Sequence, residues 1–154
     1  MILNEKVSII VLHVLIFVTG CEDKDYTSSL SVYNRTDSQI RIVSYIVSDL
    51  YKTEQFFEMV SGDAVTIAEM DYYLSDERMS NSLYNAEAFF ILYEKVSDEY
   101  VQVKEWRYKD YSPKERSIFN PLFYSMNVES DTRTHLERNF VFTILPEDLK
   151  GGTE

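Results

Sequence analysis

The chain has 154 residues, enough for one domain with a single hydrophobic core and too few for two. With 26 acidic residues against 15 basic ones its formal charge is −11, a sign that repels phosphate backbones and anionic headgroups and so argues against nucleic-acid binding and against a polybasic membrane contact. It has one cysteine, which rules out an internal disulfide framework, while its 12 Tyr, 9 Phe and 1 Trp suit the pleated faces of strands.

Residues 1–6 are a short polar opening with Lys6 and the chain's amine as positive charges, and residues 7–18 are an apolar run broken by Ser8 and His13. That is the layout of a secretory signal, and the run falls short of the roughly 20 residues a membrane-crossing helix needs. Val18-Thr19-Gly20-Cys21 then resembles the lipobox of bacterial lipoproteins, in which a small residue precedes a cysteine whose thiol takes diacylglycerol before the chain is cut in front of it. The resemblance implies that residues 1–20 are removed, that Cys21 heads the mature chain, and that the membrane is held through acyl chains, each buried methylene adding about 0.8 kcal/mol. An ordinary secreted protein with one spare thiol is the alternative.

Residues 21–29 read as a polar tether, with Glu22, Asp23 and Asp25 behind the cysteine and Thr27, Ser28 and Ser29 after them. The acidic run resembles the export tag of surface lipoproteins of the Bacteroidota. Lys24 interrupts it, so the expected location is the outer membrane with the periplasmic or cell-surface side left open.

From Leu30 the pattern becomes short apolar runs between turn residues. Residues 30–33 predict a strand closed by Asn34-Arg35-Thr36-Asp37-Ser38, and residues 40–47 a second, with Ile40, Ile42 and Ile46 on one face and Val43, Tyr45 and Val47 on the other. In residues 49–60, Leu50, Phe57 and Val60 fall at helical spacing, which favours an irregular crossover with at most two helical turns over a strand at 56–60. Residues 64–70 predict a strand with Val65 and Ile67 inward. Residues 71–85 are a long polar loop bearing Tyr72 and Tyr73, a candidate contact surface. Residues 86–95 are apolar on both faces, Phe90 and Leu92 against Phe89, Ile91 and Tyr93, which places this strand in the middle of a sheet. Residues 100–108 pair back as its hairpin partner, with Val101 and Val103 inward. Strict alternation sends Trp106 outward with Gln102 and Lys104, near Tyr108, but a strand-end bulge would turn the ring in, and a buried or rim tryptophan is the favoured reading. Pro113 and Pro121 bracket a connection, residues 123–128 supply a further strand, and residues 139–145 close the fold with Phe140, Phe142 and Ile144 on the core face. Pro146 stops that strand and residues 151–154 are a frayed tail.

About seven short strands with no long amphipathic helix predict an all-β domain over residues 30–150, an antiparallel sandwich of immunoglobulin-like or transthyretin-like shape, with a small barrel as the alternative. The lipobox, the acidic tether, Val32-Tyr33-Asn34-Arg35-Thr36-Asp37-Ser38-Gln39-Ile40, the central Phe89-Phe90-Ile91-Leu92-Tyr93 and the closing Phe140-Val141-Phe142-Thr143-Ile144 with Pro146-Glu147-Asp148-Leu149 together resemble the small single-domain lipoproteins of Bacteroidota. That family implies a β-sandwich and an envelope location and supplies no reaction.

Catalytic constellations are sparse in the letters. Once residues 1–20 are removed, His135 is the one histidine, too few for a Ser-His-Asp arrangement or a zinc site within one chain. Gly62 is the one glycine between Cys21 and Lys150, so phosphate-cradling loops are not expected. Glu69, Asp71, Asp76 and Glu77 gather at one loop and are the sole basis for a carboxylate-based glycoside hydrolase, a solvated acidic surface being the plainer account. The expected function is therefore a non-enzymatic binding or assembly component without cofactor or metal, meeting a glycan or an envelope protein through Trp106, Tyr108, Tyr72 and Tyr73. An inhibitor or immunity-type lipoprotein presenting the 71–85 loop is the other alternative.

Overall fold

The computed structural model describes residues 25–47, 52–72 and 87–150, the side chains of 70–72 excepted. Cys21, Tyr73, Asp76, Glu77 and the side chains of Asp71 and Tyr72 therefore lie outside the described part, as do the lipobox and most of the tyrosine-bearing loop. Eight strands follow in order: β1 (Asp25–Asn34), β2 (Ile40–Val47), β3 (Lys52–Met59), β4 (Ala64–Tyr72), β5 (Phe89–Val96), β6 (Glu99–Arg107), β7 (Tyr124–Asp131) and β8 (His135–Ile144). They form two four-stranded sheets, β4-β1-β8-β7 and β3-β2-β5-β6, packed as a sandwich with no closed barrel. All pairings are antiparallel except β1 with β8, which run parallel from Asp25 opposite His135 to Asn34 opposite Ile144.

The core lies between the sheets and is built from alternate positions. Leu30 and Val32 come from β1, Ile40, Ile42 and Ile46 from β2, Phe90 and Leu92 from β5, and Phe142 and Ile144 from β8, all fully buried. Phe142 sits at its centre, with the Trp106 ring edge-on at 5.8 Å and the Tyr124 ring at 5.6 Å. The double-faced β5 lies between β2 and β6, as its pattern requires.

Two expectations are corrected. Residues 52–59 are a strand and not an irregular crossover, because they pair along their whole length with β2, from Val47 opposite Lys52 to Ile40 opposite Met59. As an edge strand with Lys52, Glu54, Gln55 and Glu58 exposed, β3 shows core-facing alternation only at its end, where Phe57 and Met59 point inward. The first strand starts at Asp25 and not at Leu30: residues 25–29, read as tether, have β4 on one side and β8 on the other. Their Thr and Ser side chains give no apolar signal, and the two backbone ladders recruit them, with Ser28 buried and the Tyr26 ring under Arg138. In β6 a β-bulge gives the buried tryptophan that the sequence favours: Leu92 stands opposite Lys104 and Tyr93 opposite Gln102, leaving Val103 as the extra residue. Past the bulge the alternation changes phase, so Trp106 turns inward and is 5% exposed, while Val101 is 48% exposed.

Asn34, at the end of β1, ties three elements together. Its Nδ2 donates to Ser38 O at 2.9 Å and Met59 O at 3.3 Å, and its Oδ1 accepts from the Thr36 amide at 3.0 Å and the Thr36 hydroxyl at 2.7 Å. Asn34 N donates to Asp63 O and Asn34 O accepts from Gly62 N, both at 2.9 Å. Gly62 has φ 86°, which favours glycine in this turn. Because Asn34 is fully buried, Asn34→Ala strands several polar groups and is expected to cost about 2–3 kcal/mol in denaturant unfolding, against about 1 kcal/mol for Gly62→Ala.

Candidate functional site

β2 and β5 carry apolar side chains on the outer face of their sheet as well as on the inner one. Strand register sets these out as three rows running from β3 to β6: Glu54, Tyr45, Phe89, Arg107; then Phe56, Val43, Ile91, Glu105; then Glu58, Arg41, Tyr93, Gln102. The middle of the face is aromatic and aliphatic, and charges occupy its margins. Tyr45 and Phe89 stack at 4.8 Å and 12°. Lys52 lies 5.0 Å over the Tyr45 ring and Arg107 5.6 Å over the Phe89 ring. Phe56 is 69% exposed.

Arg41 organises one end of this face. Its guanidinium lies 3.9 Å over the Tyr100 ring and 5.7 Å from the Phe56 ring, and it bonds Glu58 at 2.5 Å. A planar cation held between rings and a carboxylate loses little further freedom on meeting a partner. The Arg41 hydrogen bond holds the Glu58 carboxyl below its usual range despite some desolvation. Burial, followed by the neighbouring Glu58 charge, pushes the Tyr100 hydroxyl upward. Gln39 Nε2 donates to that hydroxyl at 3.0 Å. Beside Phe56, Arg41, Val43, Glu54 and Gln55 frame a depression of about 410 Å³.

The second feature is a cleft of about 480 Å³ between β6 and residues 110–117, with Trp106 and Tyr111 in its wall. Next to it stands Asp148, 1% exposed, in the short 3-10 turn Pro146–Asp148. Its Oδ1 accepts from Lys104 Nζ at 3.0 Å, and its Oδ2 from Leu145 N at 3.0 Å and Arg116 Nη2 at 3.1 Å. Arg116 also donates to Thr143 O and lies 4.7 Å over the Phe142 ring. Burial alone would raise the Asp148 pKa, but the Leu145 amide, Arg116 and Lys104 outweigh it and hold the carboxyl below its ordinary value. This ion cluster fastens the chain after β8 to β6 and to the 108–123 connection, a structural task. Trp106 Nε1 is buried and has no hydrogen-bond partner among the described residues.

The expected contact residues are dispersed by the fold. Trp106 is packed inside and backs the cleft, while Tyr108 is half-buried, parallel to Tyr111 at 6.4 Å and edge-on to Phe119 at 5.4 Å. Neither belongs to the exposed outer face. Glu69 is exposed on β4, and among the described residues no group of three metal-ligating side chains occurs. Arg41, Phe56, Tyr45 and Phe89 were missed as a surface. The signal for them was the apolar character of β2 and β5 on both faces, which suggested covering on both sides; among the described residues, nothing covers the outer one. Compared with known proteins, the chain matches no family model, no curated protein and no solved structure.

Asp148 generates a pH dependence of stability. A carboxyl with a depressed folded pKa contributes fully above its unfolded value, and the contribution is lost as pH falls from about 4 through the folded pKa. Asp148→Asn removes that acid-limb dependence and leaves Lys104 and Arg116 uncompensated, at a cost of about 3 kcal/mol at neutral pH. Denaturant unfolding of both proteins between neutral pH and pH about 3 measures it, and parallel pH profiles would refute the assignment.

Proposed function

We propose that this chain is a membrane-anchored, non-enzymatic binding or assembly component of the bacterial cell envelope, held to the outer membrane by acylation at Cys21 and docking another envelope protein on the outer face of β3-β2-β5-β6. The observation that supports the docking reading is the arrangement of that face: an aromatic and aliphatic centre of Val43, Tyr45, Phe89 and Ile91, an anchored arginine, and a charged margin. Protein interfaces have this anatomy, an apolar middle inside a polar rim with aromatic and arginine anchors. The protein-partner reading is favoured over a glycan platform because the rings of Tyr45 and Phe89 stack on each other and Arg41 fills the space between Tyr100 and Phe56. The surface acts as a continuous patch and offers few separate aromatic planes.

A photo-crosslinking residue placed at Phe56 in cells is expected to trap a discrete envelope protein. Arg41→Glu is expected to weaken that capture about tenfold or more, in line with loss of an interface anchor. Absence of any specific adduct at Phe56, Val43 and Glu54 would remove the docking reading. Separately, Cys21→Ala is expected to move the protein from the membrane fraction to the soluble periplasm, and retention in the membrane would remove the anchor.

A further inference from the structure

We infer that β7 is a self-association edge: two copies of the chain join their β7 strands antiparallel about a two-fold axis through Asn127, merging their β4-β1-β8-β7 sheets into one continuous sheet. This surface is separate from the outer face of the other sheet and does not depend on its role.

β7 ends its sheet, with β8 as its one ladder partner among the described residues. The side of the strand away from β8 presents a row of backbone donors and acceptors, and the group that satisfies such a row is another extended chain. Soluble proteins blunt exposed edges with charges or proline, and two of the other three described edges follow that rule; β4, like β7, holds no lysine, arginine or proline, but none of its described side chains is a large exposed hydrophobic. β3 displays Lys52, Glu54 and Glu58, and β6 displays Lys104, Glu105 and Arg107 with residues 110–117 lying across the adjacent cleft. β7 reads Tyr-Ser-Met-Asn-Val-Glu-Ser-Asp, without lysine, arginine or proline. Met126 is 53% exposed, Val128 54%, and Leu122 just ahead of the strand 80%.

The choice of a second copy as occupant rests on self-complementarity. Met126 and Val128 stand on the same side of the sheet, opposite Phe140 and Arg138 of β8. An axis through Asn127 sets each Met126 opposite Val128 of the second copy, two equivalent apolar pairs on one face. The same axis sets Glu129 opposite Ser125, so no carboxylate on the paired segment meets another carboxylate, and the two Asn127 amides face each other. The bulge at Glu129, between the pairs Val128–Arg138 and Ser130–Glu137, bends the strand and confines the new ladder to a short stretch. A two-fold contact of this kind closes on itself and does not propagate into a filament. Each copy carries a charge of −11, which opposes association at long range, so screening by salt strengthens the pair.

The test is sedimentation of the full chain in mild detergent over a range of protein and salt concentrations. The expected result is a reversible monomer–dimer equilibrium whose dimer fraction rises with salt. Val128→Lys and Met126→Lys each weaken it by at least about tenfold without altering the unfolding midpoint, since both side chains are exposed. In a Cys21→Ala background, Asn127→Cys is expected to give a disulfide-linked dimer under mild oxidation. Phe56→Ala, on the other sheet, leaves the equilibrium unchanged. A monomer at every concentration, a dimer indifferent to both lysine variants, or a dimer lost in Phe56→Ala instead would each overturn the inference, and none of these outcomes bears on capture of an envelope protein at Phe56.

Discussion

The parallel ladder between β1 and β8 is the constraint on which the sandwich depends. It runs from Asp25 opposite His135 to Asn34 opposite Ile144, so the first and last strands of the domain lie side by side in the middle of one sheet. Every other strand of that sheet attaches to this pair: β4 to the outer side of β1 and β7 to the outer side of β8. Such a pairing closes a very long loop, so it gains nothing until most of the chain has been placed. The same ladder leaves β1 hydrogen-bonded on both sides directly after residue 24, and any pull on the chain from that end is resisted along two ladders at once.

Consequences of that frame reach the second sheet through the core. Leu30, Val32, Phe142 and Ile144 from the central pair meet Ile40, Ile42, Phe90 and Leu92, which fixes the inner faces of β2 and β5. Once those faces are committed, the remaining apolar residues of β2 and β5 stand outside by alternation alone. The outer patch is thus a geometric result of placing two double-faced strands in a two-layer fold. A third layer would have buried it. Among the described residues no third layer lies over it.

Local irregularities do as much to shape the molecule as the regular strands. One extra residue, Val103, changes which side of β6 faces the core and sends Trp106 against Phe142. The indole fills the space that Lys104 and Arg116 border while they close on Asp148. A buried carboxylate with two cationic partners contributes less to net stability than its contacts suggest, because all three groups give up solvation. Its effect is positional: the chain after β8 is held to β6 in one place and in one orientation. Two of the buried polar residues, Asn34 and Asp148, thus stand where the chain leaves β1 and β8.

The amino-acid sequence by itself determined the strands whose side chains carry their own signal. β2, β5 and the closing half of β8 alternate clearly because their inner residues must enter a dry core, and β5 announced its central position by being apolar on both faces. It also determined the all-β class, since no stretch of helical periodicity is long enough to bury a face of its own. What only the tertiary structure decided is whatever depends on a distant backbone. Residues 25–29 are strand because β4 and β8 supply hydrogen bonds to a polar segment, and residues 52–59 are strand because β2 does. The direction of Trp106 turned on a single unpaired residue in β6, and the meeting of Lys104, Arg116 and Asp148 joins positions far apart in the chain. Side-chain pattern is a local property and backbone pairing is not, so the first can be read along the letters while the second exists only once the sheets have formed.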